Sequence, residues 1–124
     1  FGCGGDRDRA KRPVMGALAS NLADCAVITS DNSRGENPQD IIDAIVSGIR
    51  QTGRDNYTVI PNRREAIEYV LRSAQKGDVI LLAGKGHETY EIDRTGRHPF
   101  DERLIVQEIM QKLFPIRPSE EQND

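Results

Sequence analysis

Extended and helical patterns alternate along this chain, and the alternation limits its possible folds more than any other feature does. The clearest extended stretch is Val79-Ile80-Leu81-Leu82, which follows Asp78. A continuous apolar run of this length is typical of a buried parallel strand. Strands that alternate with helical segments are the signature of a doubly wound parallel sheet. The sequence therefore predicts an α/β fold with a mostly parallel sheet and helices on both of its faces.

Residue spacing predicts the individual elements. The predicted strands cover residues 1–3, 25–29, 57–60 and 79–82, and a small C-terminal hairpin follows over residues 90–99. Four helices are predicted, with start signals at Pro13, Pro38, Asn62 and Asp101. The apolar stripes of the first two helices are Met15, Leu18, Ala19 and Leu22, then Ile41, Ile42, Ile45, Val46 and Ile49.

Composition narrows the classes of partner. The formal charge of −3, from 17 basic and 20 acidic residues, gives no general drive toward nucleic acid or an anionic membrane. No apolar run approaches the ~18 residues of a transmembrane helix, and no signal segment opens the chain. Cys3 and Cys25 are too few for a disulfide framework. We interpret both as reduced core thiols of a cytoplasmic protein.

We expect one domain over residues 1–113 and a disordered tail over residues 114–124, where the sequence becomes polar and unpatterned. Phe1-Gly2-Cys3 has the pattern of the end of a strand, and a glycine-rich turn follows it at once. A chain that opens in this way is expected to be the C-terminal part of a longer protein.

Three polar loops that contain glycine are predicted at the carboxyl ends of the strands. The first loop covers residues 4–12, the second loop residues 31–38 and the third loop residues 84–88. Ligands bind at this edge of open α/β sheets because the loops there converge. Arg34 in the second loop offers a planar fork that matches a carboxylate or a phosphate. The sequence therefore predicts an anion-binding site at this edge.

The first loop also has a plainer interpretation. It has Gly5-Asp6-Arg7 where the dinucleotide fingerprint would need a third glycine, so that motif is absent. Arg9, Lys11 and Arg12 are equally consistent with a solvated basic turn. The ligand-binding interpretation of this loop therefore depends on its neighbours.

The third loop is not a Walker A loop, because it lacks the earlier glycine and the Ser or Thr after its lysine. Lys85 is placed to meet an anion as a point charge. Glu88 either receives an ammonium group or faces water. His87 is interpreted as structural, and no metal site is predicted.

The three loops together resemble the C-terminal domain of Mur ligases. The resemblance rests on motifs that occur in order: Gly4-Gly5-Asp6-Arg7-Asp8 with Lys11-Arg12-Pro13, Asp31-Asn32-Ser33-Arg34 with Glu36 and Pro38, and Gly84-Lys85-Gly86-His87-Glu88. It covers residues 1–113. The fold that it implies is a Rossmann-like, doubly wound sheet with the site at the carboxyl ends of the strands, in agreement with the pattern above.

The resemblance implies ATP-dependent amide bond formation in peptidoglycan synthesis. In the members that add meso-diaminopimelate, a carboxylate of UDP-N-acetylmuramoyl-L-alanyl-D-glutamate becomes an acyl phosphate, which the amine of diaminopimelate attacks. A central domain binds ATP and Mg²⁺, and the C-terminal domain closes over the site and supplies the amino-acid pocket. The domains for ATP and for the UDP-linked substrate are therefore expected outside this chain, which should be inactive alone.

The resemblance also assigns residues to the diaminopimelate pocket. They are Arg7, Asp31, Asn32, Ser33, Arg34, Gly84 and Glu88, with Asp6 and Lys11 facing the nucleotide. Arg34 would bind the distal carboxylate and Glu88 the distal ammonium, whereas lysine-adding members lack that arginine. Ser33 stands where the family pattern has proline. No catalytic residue and no metal ligand are expected in this domain.

Two alternatives stay open on the sequence. Folylpolyglutamate synthetase shares the ligase architecture and adds glutamate, although the run Asp31-Asn32-Ser33-Arg34 fits it less well. A free-standing regulatory domain would bind a small zwitterion or a nucleotide without catalysis.

Overall fold

A short parallel sheet and an antiparallel hairpin, with four helices, make up the fold of residues 1–116, which are the residues that this computed structural model describes. The elements in chain order are α1 (Lys11–Leu22), β1 (Ala26–Ile28), α2 (Pro38–Thr52), β2 (Tyr57–Val59), α3 (Arg63–Ser73), β3 (Tyr90–Asp93), β4 (Gly96–Pro99) and α4 (Glu102–Leu113). Strands β1 and β2 pair in parallel, and β3 and β4 form the predicted hairpin. The predicted α/β class is confirmed.

Residues 1–3 lie beside β1 on the side opposite β2. The Phe1 nitrogen donates to the Val27 carbonyl oxygen at 3.0 Å, and the Thr29 N–H donates to the Phe1 carbonyl oxygen at 2.9 Å. Ala26 and Ile28 instead bond toward β2. Because alternate residues of a strand direct their backbone groups to opposite sides, the lateral order is β2, β1, residues 1–3.

Residues 79–82 do not form the predicted buried strand. No ladder pairing is found for them among the described residues, and Val79 and Leu81 are 94% and 82% exposed. The Gly2 carbonyl oxygen lies 3.9 Å from the position of a Cβ on Gly84, so residues 1–3 are the neighbour on this side.

Helix α2 follows the sequence prediction throughout. Asn37 caps its start by accepting a hydrogen bond from the Gln39 N–H, and Gly53 ends it in the left-handed conformation. Its five stripe residues are all buried and form one core with β1 and Cys3. A second core holds Ile67 of α3 with Ile105 and Ile109 of α4. The first core thus joins α2 to the parallel sheet, and the second core joins α3 to α4.

Helix α1 packs through only part of its predicted apolar stripe, and Ala19 is the residue that lies against the first core. Leu18 and Leu22 are 53% and 84% exposed, and the buried face carries Gly16 instead. A Cβ on Gly16 would lie 2.2 Å from the Ile45 carbonyl oxygen, and one on Gly48 would lie 1.9 Å from the Pro13 carbonyl oxygen. The two helix backbones therefore touch at small residues, which hydrophobic spacing does not detect.

The remaining expectations concern the two cysteines, the end of the chain and membrane-spanning helices. Cys3 is buried as predicted, but Cys25 is exposed, so its assignment to the core is wrong. Phe114 and Ile116 are exposed, and the rest of the predicted tail, residues 117–124, lies outside the described residues. No helix among residues 1–116 is long and apolar enough to cross a membrane.

Candidate functional site

The first and second loops are joined through their backbones. The Gly5 N–H donates to the Asn32 carbonyl oxygen at 2.7 Å, and Arg34 Nη1 donates to the Gly5 carbonyl oxygen at 3.1 Å. A Cβ on Gly5 would meet the carbonyl oxygen of buried Ser33 at 1.8 Å, so only glycine allows this approach. The two loops therefore converge, as the sequence predicts.

Glu36 fastens the same two loops with its side chain. It accepts hydrogen bonds from Arg12 Nη2 at 2.7 Å and from the Asp6 N–H at 2.6 Å. These bonds, the one from the Arg12 guanidinium first, lower the pKa of Glu36 to about 2, because both favour the charged carboxylate. The Arg12 side chain is only 4% exposed, so its interpretation as part of a solvated turn is wrong. We call these contacts of Glu36 with Arg12 and Asp6 the Glu36 clasp. They were not predicted from the sequence.

Lys85 joins the third loop to the second loop. Its ammonium donates to Asp31 Oδ1 and Asn32 Oδ1, both at 3.0 Å, and to the Tyr90 carbonyl oxygen at 3.2 Å. The side chain is 0% exposed. It therefore does not meet an anion from solution, and the predicted role of Lys85 as a point charge for a ligand is wrong.

Asn32 lies between the two charged groups that the sequence assigned to the ligand. Its side-chain Nδ2 donates to Glu88 Oε1 at 3.2 Å, and its backbone carbonyl oxygen accepts from Arg34 Nη1 at 3.4 Å. Glu88 and Arg34 are both half-buried. The structure thus brings a carboxylate and a guanidinium to one buried asparagine.

The hairpin packs against the second loop, a contact that nothing in the sequence pattern indicated. The Ile92 N–H donates to Asn32 Oδ1 at 3.0 Å, and the Arg34 N–H donates to the Ile92 carbonyl oxygen at 3.1 Å. Arg94 Nε donates to the Gly35 carbonyl oxygen at 3.1 Å. These three bonds hold the second loop against the hairpin.

Two arginines flank Gly4. A Cβ built on Gly4 would lie 2.9 Å from Arg34 Nη1 and 3.5 Å from Arg7 Cγ. Arg7 is exposed, and its Nη1 donates to the Asp6 carbonyl oxygen at 3.1 Å. Arg34 has a φ of +52°, a conformation that costs about 1–3 kcal/mol for a residue other than glycine. The surrounding hydrogen bonds hold Arg34 in that conformation.

The remaining predicted residues fall at the rim of these contacts. Gly84 has a φ of +113°, and a Cβ on it would lie 2.9 Å from Asp31 Oδ2. The Asp6 carboxylate accepts from the Gly35 N–H at 3.1 Å, and Lys11 is exposed at the start of α1. Asp6 and Lys11 do not by themselves form a phosphate cradle, and their nucleotide-facing role stays a prediction.

A buried ion pair that was not predicted lies directly behind the second and third loops. Arg63 Nη2 lies 2.9 Å from Glu102 Oε1, and Arg63 also donates to the Ser30 and Ala83 carbonyl oxygens at 3.2 and 2.9 Å. A cavity of about 660 Å³ opens beside Arg63. Burial raises the pKa of Glu91 in its wall. None of the predicted ligand residues lines this cavity, so the converging loops remain the candidate site.

Comparison with known proteins identifies the family of the chain. The family described as "Mur ligase, glutamate ligase domain" matches residues 1–86. The UDP-N-acetylmuramoyl-L-alanyl-D-glutamate--2,6-diaminopimelate ligase 1 of Clostridium acetobutylicum is 55% identical over 114 residues, which are 92% of this chain and 23% of that protein. The corresponding ligase of Caldanaerobacter subterraneus subsp. tengcongensis is 58% identical over 110 residues, 89% of this chain and 23% of that protein.

A solved structure of a UDP-N-acetylmuramoyl-L-alanyl-D-glutamate--2,6-diaminopimelate ligase has the same fold. It matches with a TM-score of 0.86 and 42% identity, over 94% of this chain and 24% of that chain. The chain thus spans less than a quarter of the length of these relatives. With its fold, its loop motifs and most of its length matched, the chain belongs to the Mur ligase family, in the part described as the glutamate ligase domain.

Proposed function

We propose that this chain is the amino-acid-binding domain of an ATP-dependent ligase that adds meso-diaminopimelate to UDP-N-acetylmuramoyl-L-alanyl-D-glutamate. The observation that most supports the proposal is the placement of Arg34 and Glu88 on either side of Asn32. The names of the relatives from Clostridium acetobutylicum and Caldanaerobacter favour the same substrate. We propose that the chain acts within a longer ligase because it covers only 23% of each of those relatives.

The charges of the pocket match the distal end of diaminopimelate, which carries both a carboxylate and an ammonium group. Arg34 uses Nη1 for two carbonyl oxygens of the protein. Among the described residues no partner is found for its Nε and Nη2, which carry two parallel N–H groups suited to a carboxylate. Arg7, on the other side of Gly4, adds a second positive charge. Glu88 supplies the negative charge for the ammonium.

The same charges discriminate against lysine. The lysine side chain ends in an ammonium group without a carboxylate, so a guanidinium at this point would be left without a partner and would repel it. Asp31 and Gly84 lie in close contact beside Asn32, and Ser33, in place of the family's proline, is buried. We therefore propose that the distal carboxylate is the group by which the ligase selects its substrate.

In the proposed reaction, the diaminopimelate amine attacks the carbonyl carbon of an acyl phosphate, an amide bond forms and inorganic phosphate leaves. This chain contains no Walker A loop, so ATP and Mg²⁺ would be held chiefly by another domain, and we assign no step through them to these residues. The role of the chain is to orient the incoming amino acid. Because the UDP-linked substrate and ATP are intracellular metabolites, we place the activity in the cytoplasm.

The test is a substrate comparison in the full-length ligase. We expect release of ADP that depends on the acceptor amino acid, with a much higher kcat/KM for meso-diaminopimelate than for L-lysine. Equal rates, or a preference for lysine, would overturn the assignment of Arg34. The isolated chain serves as the control and should release no ADP, since it lacks a phosphate loop.

A further inference from the structure

Lys85 is a charged group of the site that contacts only the protein. An ammonium has three N–H donors, and here each donor has an acceptor: Asp31 Oδ1, Asn32 Oδ1 and the Tyr90 carbonyl oxygen. The Phe100 ring lies 5.6 Å from Nζ, within the range of a cation–π contact. With its side chain 0% exposed, Lys85 cannot touch a substrate, so its effect on one must pass through a neighbour.

That neighbour is Asn32. Its Oδ1 receives two hydrogen bonds, from Lys85 Nζ and from the Ile92 N–H, both at 3.0 Å. Neither of these donors can accept a hydrogen bond, so the oxygen of the amide has to lie on their side. The NH₂ group then faces Glu88, where Nδ2 lies 3.2 Å from Oε1. Lys85 and the Ile92 N–H together therefore determine which end of the Asn32 amide Glu88 meets, and Lys85 is the charged donor of the two.

We propose that Lys85 is a positioning residue that sets the carboxylate of Glu88 for the distal ammonium of the substrate, through the amide of Asn32. The inference rests on the proposed function, in which Glu88 receives that ammonium. Without the Lys85 cation, Ile92 alone holds the amide oxygen. The amide can then turn its oxygen toward Glu88, where two acceptors repel each other and the carboxylate moves away.

The test replaces Lys85 with methionine in the full-length ligase and compares two amino acids. One is meso-diaminopimelate, and the other is L-2-aminopimelate, which keeps the distal carboxylate and lacks the distal ammonium. We expect Lys85→Met to lower kcat/KM for meso-diaminopimelate roughly ten- to hundredfold, the size of a lost hydrogen bond to a charged group. We expect kcat/KM for L-2-aminopimelate to change by less than about threefold, since that substrate makes no use of Glu88.

The matched control is Lys76→Met, the same chemical change at an exposed lysine, which should leave both values unchanged. An equal loss with both amino acids in Lys85→Met would mean a merely structural role and would overturn the proposal, as would no loss with either. If Lys85→Met does not fold, Asn32→Asp decides, because it keeps an acceptor for Lys85 and loses the donor to Glu88. It should reduce the preference for meso-diaminopimelate, and an unchanged preference would overturn the proposal.

The outcomes also separate this inference from the proposed function. Failure of the wild-type ligase to use meso-diaminopimelate would refute the function itself, before any variant is compared. A wild-type ligase that uses meso-diaminopimelate well, together with an unchanged preference in Lys85→Met and Asn32→Asp, would refute only the role of Lys85.

Discussion

Arg63 and Glu102 are 39 residues apart in the sequence, yet Nη2 of one lies 2.9 Å from Oε1 of the other, with both side chains almost entirely buried. Arg63 also binds the carbonyl oxygens of Ser30 and Ala83. One guanidinium thus connects the end of β1, the segment before the third loop and helix α4. Removing it would leave the Glu102 carboxylate buried without its partner.

We therefore expect Arg63→Met to destabilise the chain by about 3–5 kcal/mol, the cost of breaking a buried ion pair from one side. The measurement is urea unfolding followed by circular dichroism. The adjacent Arg64→Met is the matched control, because Arg64 pairs with Glu108 at the surface, where both side chains are about half exposed. Arg64→Met should hardly alter the urea concentration at the midpoint of unfolding. Equal midpoints for the two variants would contradict the prediction.

The Glu36 clasp predicts a pH dependence of stability. Its pKa is lowered from 4.5 to about 2 in the folded chain, so the folded state favours the charged carboxylate. The stabilisation is fully present above pH 4.5 and is lost as the pH falls toward 2. Wild type should therefore be more stable than Glu36→Gln at pH 7, and the difference should shrink between pH 4.5 and 2.

Thermal unfolding across this pH range measures the difference. Asp55→Asn, at an exposed position, is the control and should follow the wild-type curve. A difference between wild type and Glu36→Gln that stays constant from pH 7 to pH 2 would show that the carboxylate charge is not what holds the loops together.

The close approach of α1 and α2 predicts that an added methyl group is harmful at Gly48. Alanine favours a helix over glycine by about 1 kcal/mol, but its Cβ would lie 1.9 Å from the Pro13 carbonyl oxygen. Overpacking costs about 1–3 kcal/mol and more when backbones must move. We expect Gly48→Ala to lower the melting temperature, and Ser47→Ala, at the exposed neighbouring position, to leave it nearly unchanged. A melting temperature raised by Gly48→Ala would show that the helices can separate freely.

Arg34 should be needed for the distal carboxylate. In the full-length ligase, Arg34→Ala is expected to lower kcat/KM for meso-diaminopimelate by ~10²-fold or more, as for a lost charge-assisted pair. Arg34→Lys should recover only part of this, because an ammonium does not form the bidentate fork. Steady-state kinetics with both variants test the assignment, and full activity in Arg34→Ala would refute it.

The sequence predicted α2 well and α1 poorly, for one physical reason. In α2 the buried face is made of large apolar side chains, which hydrophobic periodicity detects. In α1 the buried face is made by Gly16 and Ser20, whose small size matters only because a second helix lies against them. The apolar side chains that were expected to be buried, such as Leu18 and Leu22, are exposed.

The candidate site, too, could be predicted only in part. Its residue types were predictable, since Arg34 and Glu88 carry charges that suit a zwitterion. The interior role of Lys85, and the contact of Ile92 with Asn32, were not. Both depend on which loop lies next to which, and the Asn32 to Ile92 bond joins residues 60 apart in the chain. Motifs name the charged groups, whereas tertiary structure decides which of them face a ligand.

The unpaired apolar segment at residues 79–82 affects how the chain behaves at high concentration. An extended apolar segment without ladder partners is a template for adding a strand from another molecule. Val79, Ile80 and Leu81 are all exposed in this segment, and no charged residue interrupts the run. Self-association of the isolated chain should therefore begin at this edge, and a lysine in place of Leu81 should raise its solubility.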